Sequence, residues 1–165
     1  MKNQIKRKVA IFLAVCFLVS VAATAVSAAN AKKGYSINID KASLNNNNFR
    51  KVLYTAQYSQ LVLMSLKPKE DIGMEVHEGT DQFFYFVGGQ GTCIINSHKY
   101  KVSDGSAVVV PAGAKHNVIN TMKNKSLKFF TIYSPPEHQD GIVRKTKAEA
   151  NDPTKAETFD GITTE

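Results

Sequence analysis

Between Phe49 and Tyr133 the chain is a succession of short segments rich in β-branched and aromatic residues, separated by residues that favour turns. The segments are KVLYTA, QLVLMSL, GMEVH, QFFYFV, TCIIN, HKYKV, SAVVV, HNVINT and LKFFTIY. Between them stand sequences such as KPKEDIG, GGQG, SDG, PAGAK and KNKS, which are rich in Gly, Pro, Asn, Asp and Ser. Strands of this length and close spacing predict an all-β domain, either a sandwich or a barrel.

The length of 165 residues leaves room for one domain of ordinary size. We expect a signal peptide over residues 1–28 and a flexible leader over residues 29–48, with one strand at YSINID. The folded domain is expected over residues 49–143, followed by a polar C-terminal tail over residues 144–165 that contains a short helix at KTKAEA. No internal repeat indicates a second domain.

The N-terminal segment has the pattern of an export signal. Four basic residues and no acidic residue precede the apolar run VAIFLAVCFLVSVAATAV, and Val26 and Ala28 suit the −3 and −1 positions of a signal peptidase site. We predict cleavage after Ala28 and export to the periplasm or the extracellular space, with no membrane association afterwards. A retained N-terminal membrane anchor is the alternative, because the apolar run is nearly long enough to span a bilayer.

Charge and cysteine content narrow the function classes. The formal net charge is +7, of which the first 28 residues supply +4, so +3 remains for the rest of the chain. No basic cluster with interleaved aromatic residues occurs, so we expect no nucleic-acid partner. Cys93 is the only cysteine after residue 28, which excludes an internal disulfide in the exported chain, and we expect its thiol to be buried.

Residues with metal-binding chemistry occur at three points along the predicted strands. Glu75 and His77 are two residues apart in GMEVH, so strand alternation places them on one face. Gln82 opens the next strand, and His116 opens a distant strand directly after PAGAK. Two imidazoles, a carboxylate and an amide oxygen suit a divalent transition metal. Each residue has a structural alternative as a polar residue at a strand end, so the site exists only if the fold brings the four together.

The stretch GSAVVVPAGAKHNVIN resembles the second sequence motif of the cupins in every spacing. The motif positions are occupied by Gly105, Pro111, Gly113, His116 and Asn120. The first cupin motif normally reads His-x-His, three or four residues, Glu, six residues and Gly. Its positions are occupied here by Glu75, His77, Gln82 and Gly89. The resemblance covers about residues 50–136, and the chain is most similar to the small single-domain cupins described as mannose-6-phosphate-isomerase-like.

This resemblance implies a cupin double-stranded jelly-roll β-barrel with a divalent transition metal (Mn, Fe, Ni, Zn or Cu) inside it. Carried over by position, the metal ligands are Glu75, His77, Gln82 and His116. Glu and Gln stand where the family has His and Glu, but the ligand set keeps a net charge of −1. Phe84 and Val118 are candidate pocket-lining residues.

The function implied is metal-assisted isomerase, lyase or dioxygenase chemistry on a small oxygenated substrate, such as a sugar or a keto or hydroxy acid. The alternative is a non-catalytic cupin module that binds a small molecule or sugar. Apart from Glu75, the sequence identifies no inward-facing general base. His138 is expected in a surface loop, with a position folded over the barrel mouth as the alternative. Whether the protein is an enzyme and whether it forms a homodimer therefore stay open at this point.

Overall fold

Antiparallel strands are the main regular secondary structure of the computed structural model, which describes residues 32–155 and 157–164. The strands are β1 (Arg50–Thr55), β2 (Gln60–Leu66), β3 (Asp81–Gly88), β4 (Gln90–Ile95), β5 (His98–Ser103), β6 (Ala107–Val110), β7 (His116–Asn120), β8 (Leu127–Ser134) and β9 (Val143–Arg144). Two short helices are present among the described residues, α1 (Ile39–Asn45) and α2 (Lys147–Ala150). The signal peptide predicted over residues 1–28 lies outside the described residues. Within those residues, no helix has the length and apolar character needed to cross a bilayer.

The strands form two sheets around a single apolar core. The larger sheet has the order β6–β3–β8–β2–β1–β9, and the smaller has the order β5–β4–β7. Strand alternation places Phe84 and Phe86 of β3 and Phe129 of β8 in the interior, where all three are buried and their rings pack together. The predicted all-β jelly-roll barrel with one domain is confirmed.

Eight of the nine predicted strand segments form strands, and GMEVH does not. Gly73, the first residue of this segment, has a φ of +100°, which is incompatible with a regular strand. Two isolated antiparallel bridges replace the strand, Asp71 with Ile119 and Glu75 with His116. Residues 71–77 therefore still run beside β7. The two-residue strand β9 was not predicted, since it is too short to produce a periodic pattern.

The strand expected at YSINID is replaced by the start of a helix. The side chain of Asn38 accepts a hydrogen bond from Lys41 N at 2.9 Å, which caps α1 in the way typical of Asn before a helix. Lys128 of β8 donates a hydrogen bond to the carbonyl of Asn46, so the end of α1 is tied to the larger sheet. The helix expected at KTKAEA is present as α2.

The turn between β6 and β7 places His116 inside the barrel. Strand β6 ends at Val110, directly before Pro111, which cannot donate a ladder hydrogen bond. Gly113 takes a φ of +76°, which reverses the chain without strain. The chain then enters β7 with His116, whose side chain is fully buried. Cys93 of β4 is also fully buried, as predicted.

Candidate metal centre

The structure brings Glu75, His77 and His116 together. One ligand atom from each lies within 4.8 Å of the others, in an arrangement that could hold a metal ion. Glu75 N donates to His116 O and His116 N donates to Glu75 O, both at 2.9 Å, and Gly113 N donates to His77 O at 2.9 Å. These backbone hydrogen bonds hold the segment that carries Glu75 and His77 against the start of β7.

The ring of His116 carries its proton on Nδ1, which leaves Nε2 unprotonated on the side of the cluster. Its Nδ1 lies 3.0 Å from the carbonyl oxygen of Ala114, and because a carbonyl only accepts, Nδ1 must carry the proton. Nε2 is buried and has no hydrogen-bond partner among the described residues. Burial lowers the pKa of His116 and outweighs the opposing effects of the Ala114 carbonyl and Glu75. The ring is therefore neutral at pH 7, with the lone pair of Nε2 available to a metal.

A carboxylate holds the ring of His77 from its Nδ1 side. Its Nδ1 lies 3.1 Å from Glu137 Oε1, and Thr80 Oγ1 donates to the same carboxylate at 3.2 Å. Burial lowers the pKa of His77, but Glu137 and Glu75 together raise it more, to about 9. In the protein without metal, the ring is thus protonated at pH 7, and its Nε2, 3.7 Å from Glu75 Oε2, must lose a proton when a metal binds.

Gln82 faces the barrel interior as the sequence predicts. Its side chain is 2% exposed, and Oε1 has no hydrogen-bond partner in the part of the chain that the structure describes. Gln82 pairs with Tyr133 on β8, and the Tyr133 ring lies 5.5 Å from the ring of His77. Gln82 is thereby connected to the cluster through Tyr133.

The two candidate pocket-lining residues are both buried. Phe84 follows Gln82 on the same face of β3, and its ring centre lies 6.2 Å from that of His116. Val118 is fully buried in the apolar core, two residues after His116 on β7.

The donor set fits a divalent transition metal. Three of the four predicted ligands each carry one buried polar atom without a partner within residues 32–155 and 157–164: His77 Nε2, Gln82 Oε1 and His116 Nε2. Buried polar atoms are nearly always hydrogen-bonded, so three such atoms in one region require an explanation. An ion bound by two imidazoles, a carboxylate and an amide oxygen provides one. Glu137 and the Ala114 carbonyl then act as the outer groups that fix the tautomer of each histidine.

Sequence reasoning missed Glu137 and placed His138 wrongly. His138 is not a surface residue: it is 5% exposed, and its ring packs edge to face against Tyr133 with centres 5.0 Å apart. The side-chain amide of Gln60 accepts from His138 N at 3.0 Å and donates to His138 O at 2.6 Å. This clamp draws the loop after β8 inward, which places Glu137 beside His77. No local motif in PPEHQDG signals either position.

A buried arginine adjoins the cluster and was also missed. Arg50 begins β1; its Nη2 lies 3.9 Å from Glu75 Oε1, and its Nη1 donates to Glu157 Oε2 at 2.9 Å. Glu157 also accepts from Arg144 Nε. The backbone beside Glu157 pairs with the loop after β8, since Gln139 N donates to Glu157 O at 2.9 Å and Phe159 N donates to Glu137 O at 3.0 Å. The C-terminal segment therefore packs beside the site, although its sequence indicates only a polar tail.

Comparisons with known proteins agree with this architecture. A protein-family model described as a cupin domain matches residues 62–133. The uncharacterized protein YrkC of Bacillus subtilis (strain 168) is 45% identical over 124 residues, which cover 72% of this chain and 66% of YrkC, slightly under two thirds of that relative. The uncharacterized protein L612 of Acanthamoeba polyphaga mimivirus is 38% identical over 117 residues, covering 69% of this chain and 73% of L612. The crystal structure of BH2720 from Bacillus halodurans has a TM-score of 0.70 and 36% identity, covering 73% of this chain and 96% of that chain.

Proposed function

Because the chain belongs to the cupin family, we propose that it binds a divalent transition metal through Glu75, His77, His116 and Gln82, and acts there on a small oxygenated molecule. The observation that carries this proposal is the set of three buried, unpartnered atoms on His77, Gln82 and His116. The cluster of Glu75, His77 and His116 within 4.8 Å supports it. Elemental analysis of protein purified without chelator tests it: we expect about one equivalent of Mn, Fe, Ni, Zn or Cu, and a metal-free protein that also fails to take up added ions would refute it.

The chain's own residues divide the work of such a site. A bound ion would polarise a substrate oxygen as a Lewis acid. Glu75 supplies the single negative charge of the ligand set, while Glu137 and the Ala114 carbonyl orient the rings of His77 and His116. Phe84, a member of the buried apolar core, lies beside the ring of His116.

The reaction proposed is isomerisation, lyase chemistry or dioxygenation of a sugar or a keto or hydroxy acid. We place the chain with the small cupins described as mannose-6-phosphate-isomerase-like on its motif spacing, and neutral sugars represent the sugar class in the panel to be tested. Turnover of a panel of sugars and acids by the metal-loaded protein, absent in His116→Ala, would support an enzyme.

A non-catalytic binding module is the second candidate function, and one observation favours it. Glu137 is the carboxylate nearest to His77, at 3.1 Å. In the metal-free protein, burial raises the pKa of Glu137, but the hydrogen bond and charge of His77 outweigh this effect and lower it. With or without a metal, one of its oxygens faces His77 Nδ1 and the other accepts a hydrogen bond from Thr80 Oγ1, so both are already occupied as acceptors and Glu137 is a weak general base. Binding of a panel compound without turnover by the metal-loaded protein would support this candidate.

We also propose that the protein is exported, on the strength of the sequence pattern of residues 1–28. Mass spectrometry of the protein recovered from the producing cells should find an N-terminus at Ala29 or within a few residues of it. An intact Met1 in the membrane fraction would instead support the N-terminal anchor.

A further inference from the structure

Arg50 has the properties of a binding group for an anion beside the candidate metal centre. Its side chain is 7% exposed, and its Nε is buried without a hydrogen-bond partner among residues 32–155 and 157–164. Nη2, at 3.9 Å from Glu75 Oε1, is too far away for a hydrogen bond. A guanidinium offers five N–H donors in a planar fork that matches a carboxylate. In the part of the chain that the structure describes, Nη1 is the only guanidinium nitrogen of Arg50 within hydrogen-bonding distance of an acidic group, Glu157.

The charges around the candidate centre favour a ligand with one negative charge. Ion pairs link the cluster to a group of charged side chains, in which each member lies within 4 Å of another member or of His77. The group contains three carboxylates (Glu75, Glu137 and Glu157) and two guanidiniums (Arg50 and Arg144). With neutral histidines their net charge is −1, so a divalent ion changes it to +1. A monoanion bound beside the ion would neutralise this charge, whereas a neutral sugar would leave it uncompensated in a largely buried region.

We propose that the ligand is a small carboxylic acid with an adjacent oxygen, of the 2-hydroxy or 2-keto acid class, and that Arg50 binds its carboxylate. This inference rests on the proposed function and selects between the two substrate classes named there. Glu157 already shows that Arg50 pairs with a carboxylate, at 2.9 Å. Arg50 is therefore a specificity-determining residue that distinguishes acids from neutral molecules of the same shape.

The test compares glycolate with glycolamide, two small molecules of the same shape that differ in charge. Protein loaded with one equivalent of Zn²⁺ is titrated with each by calorimetry. We expect glycolate to bind about 10- to 100-fold more tightly, which is the usual contribution of a hydrogen bond to a charged group. Equal affinities for glycolate and glycolamide would overturn the inference.

Two variants and a matched control locate the effect at Arg50. Arg50→Gln should lose the preference for glycolate, while its affinity for glycolamide should equal that of the native protein. Lys51→Gln, which removes the same charge from the neighbouring, partly exposed position of β1, should keep the preference. Glu157→Gln should bind glycolate more tightly than the native protein, because Arg50 loses its internal carboxylate partner. Misfolding cannot produce tighter binding, so Glu157→Gln tests the inference even if Arg50→Gln does not fold. Unchanged or weaker glycolate binding by Glu157→Gln would overturn the inference.

Metal binding is measured first in every variant, so that the two proposals fail separately. A protein that binds no Zn²⁺ would refute the proposed function and this inference with it. A protein that binds Zn²⁺ but retains its glycolate preference in Arg50→Gln would refute only the role of Arg50.

Discussion

The affinity of the site for a metal ion should rise with pH over a range that the pKa of His77 sets. Glu137 and Glu75 outweigh burial and raise the pKa of His77 to about 9 in the metal-free protein, whereas an unperturbed histidine would place this range near pH 6.5. A proton on Nε2 competes with the metal below that pKa. At pH 7 the competition weakens binding about 50-fold relative to pH 9, and affinity should rise about tenfold between pH 7 and pH 8 and about fivefold between pH 8 and pH 9. His116 adds no proton competition at pH 7, because burial lowers its pKa.

Glu137→Gln separates this explanation from a general effect of pH on the protein. Glu137 lies 3.1 Å from His77 Nδ1, so its removal lowers the pKa of His77 and also removes the group that orients the ring. The loss of an orienting partner weakens metal binding about 10- to 100-fold, but the loss of proton competition offsets much of that at pH 7. We therefore expect a small change in affinity at pH 7 and a large loss at pH 9.

Calorimetry of Zn²⁺ binding at pH 7, in buffers of different ionisation enthalpy, measures this competition directly. The native protein should release close to one proton from His77 per ion bound, and Glu137→Gln should release distinctly less. Thr154→Ala, in an exposed turn of the C-terminal segment, is a control that should match the native protein. A native protein that releases no proton, or a Glu137→Gln variant that releases as many as the native one, would refute the assignment of His77 and Glu137.

Three further predictions concern single side chains. Gln82→Glu should bind Zn²⁺ more tightly than the native protein, because an anionic oxygen replaces an amide dipole; weaker binding, measured by calorimetry, would show that Gln82 is not a ligand. Burial raises the pKa of Cys93 to about 11, so the native protein should react with a thiol reagent only as fast as it unfolds, and rapid labelling would contradict this. Burial, followed by the charges of Arg50 and His77, lowers the pKa of His138 well below its usual value. The stability that a neutral His138 contributes is present above about pH 6.5 and is lost as pH falls, by up to about 1.4 kcal/mol per pH unit. In urea unfolding of the metal-free proteins, the free energy of unfolding of His138→Asn should therefore fall less between about pH 6.5 and pH 5 than that of the native protein. An equal fall in both proteins would disprove this.

The sequence allowed most of the barrel and the centre of the site to be predicted. Turn residues such as Gly113, at φ +76°, mark backbone conformations that few residues adopt, so they locate the strand ends from the sequence alone. The buried position of His116 follows from its place directly after such a turn. The convergence of Glu75 and His77 was predicted correctly although the strand was not formed, because backbone pairing with β7 does not require a regular strand.

The outer part of the site depends on contacts between distant segments, which leave no local pattern. Arg50 pairs with Glu157, 107 residues away, and neither residue differs in sequence context from an ordinary surface charge. The burial of His138 depends on Gln60, 78 residues earlier. Helix α1 is short and ends in the asparagine-rich sequence NNNN, so its only local signal is the cap provided by Asn38.

Calorimetric titration of the metal-free protein with Zn²⁺, Mn²⁺ and Ni²⁺ tests the central claim most directly. The native protein should bind one ion, and His77→Ala and His116→Ala should each weaken binding by more than about 100-fold, since even residues that only orient a ligand contribute about 10- to 100-fold. His98→Ala, at an exposed position of β5, is the matched control and should bind as the native protein does. If His116→Ala binds these ions as tightly as the native protein, the candidate metal centre is contradicted.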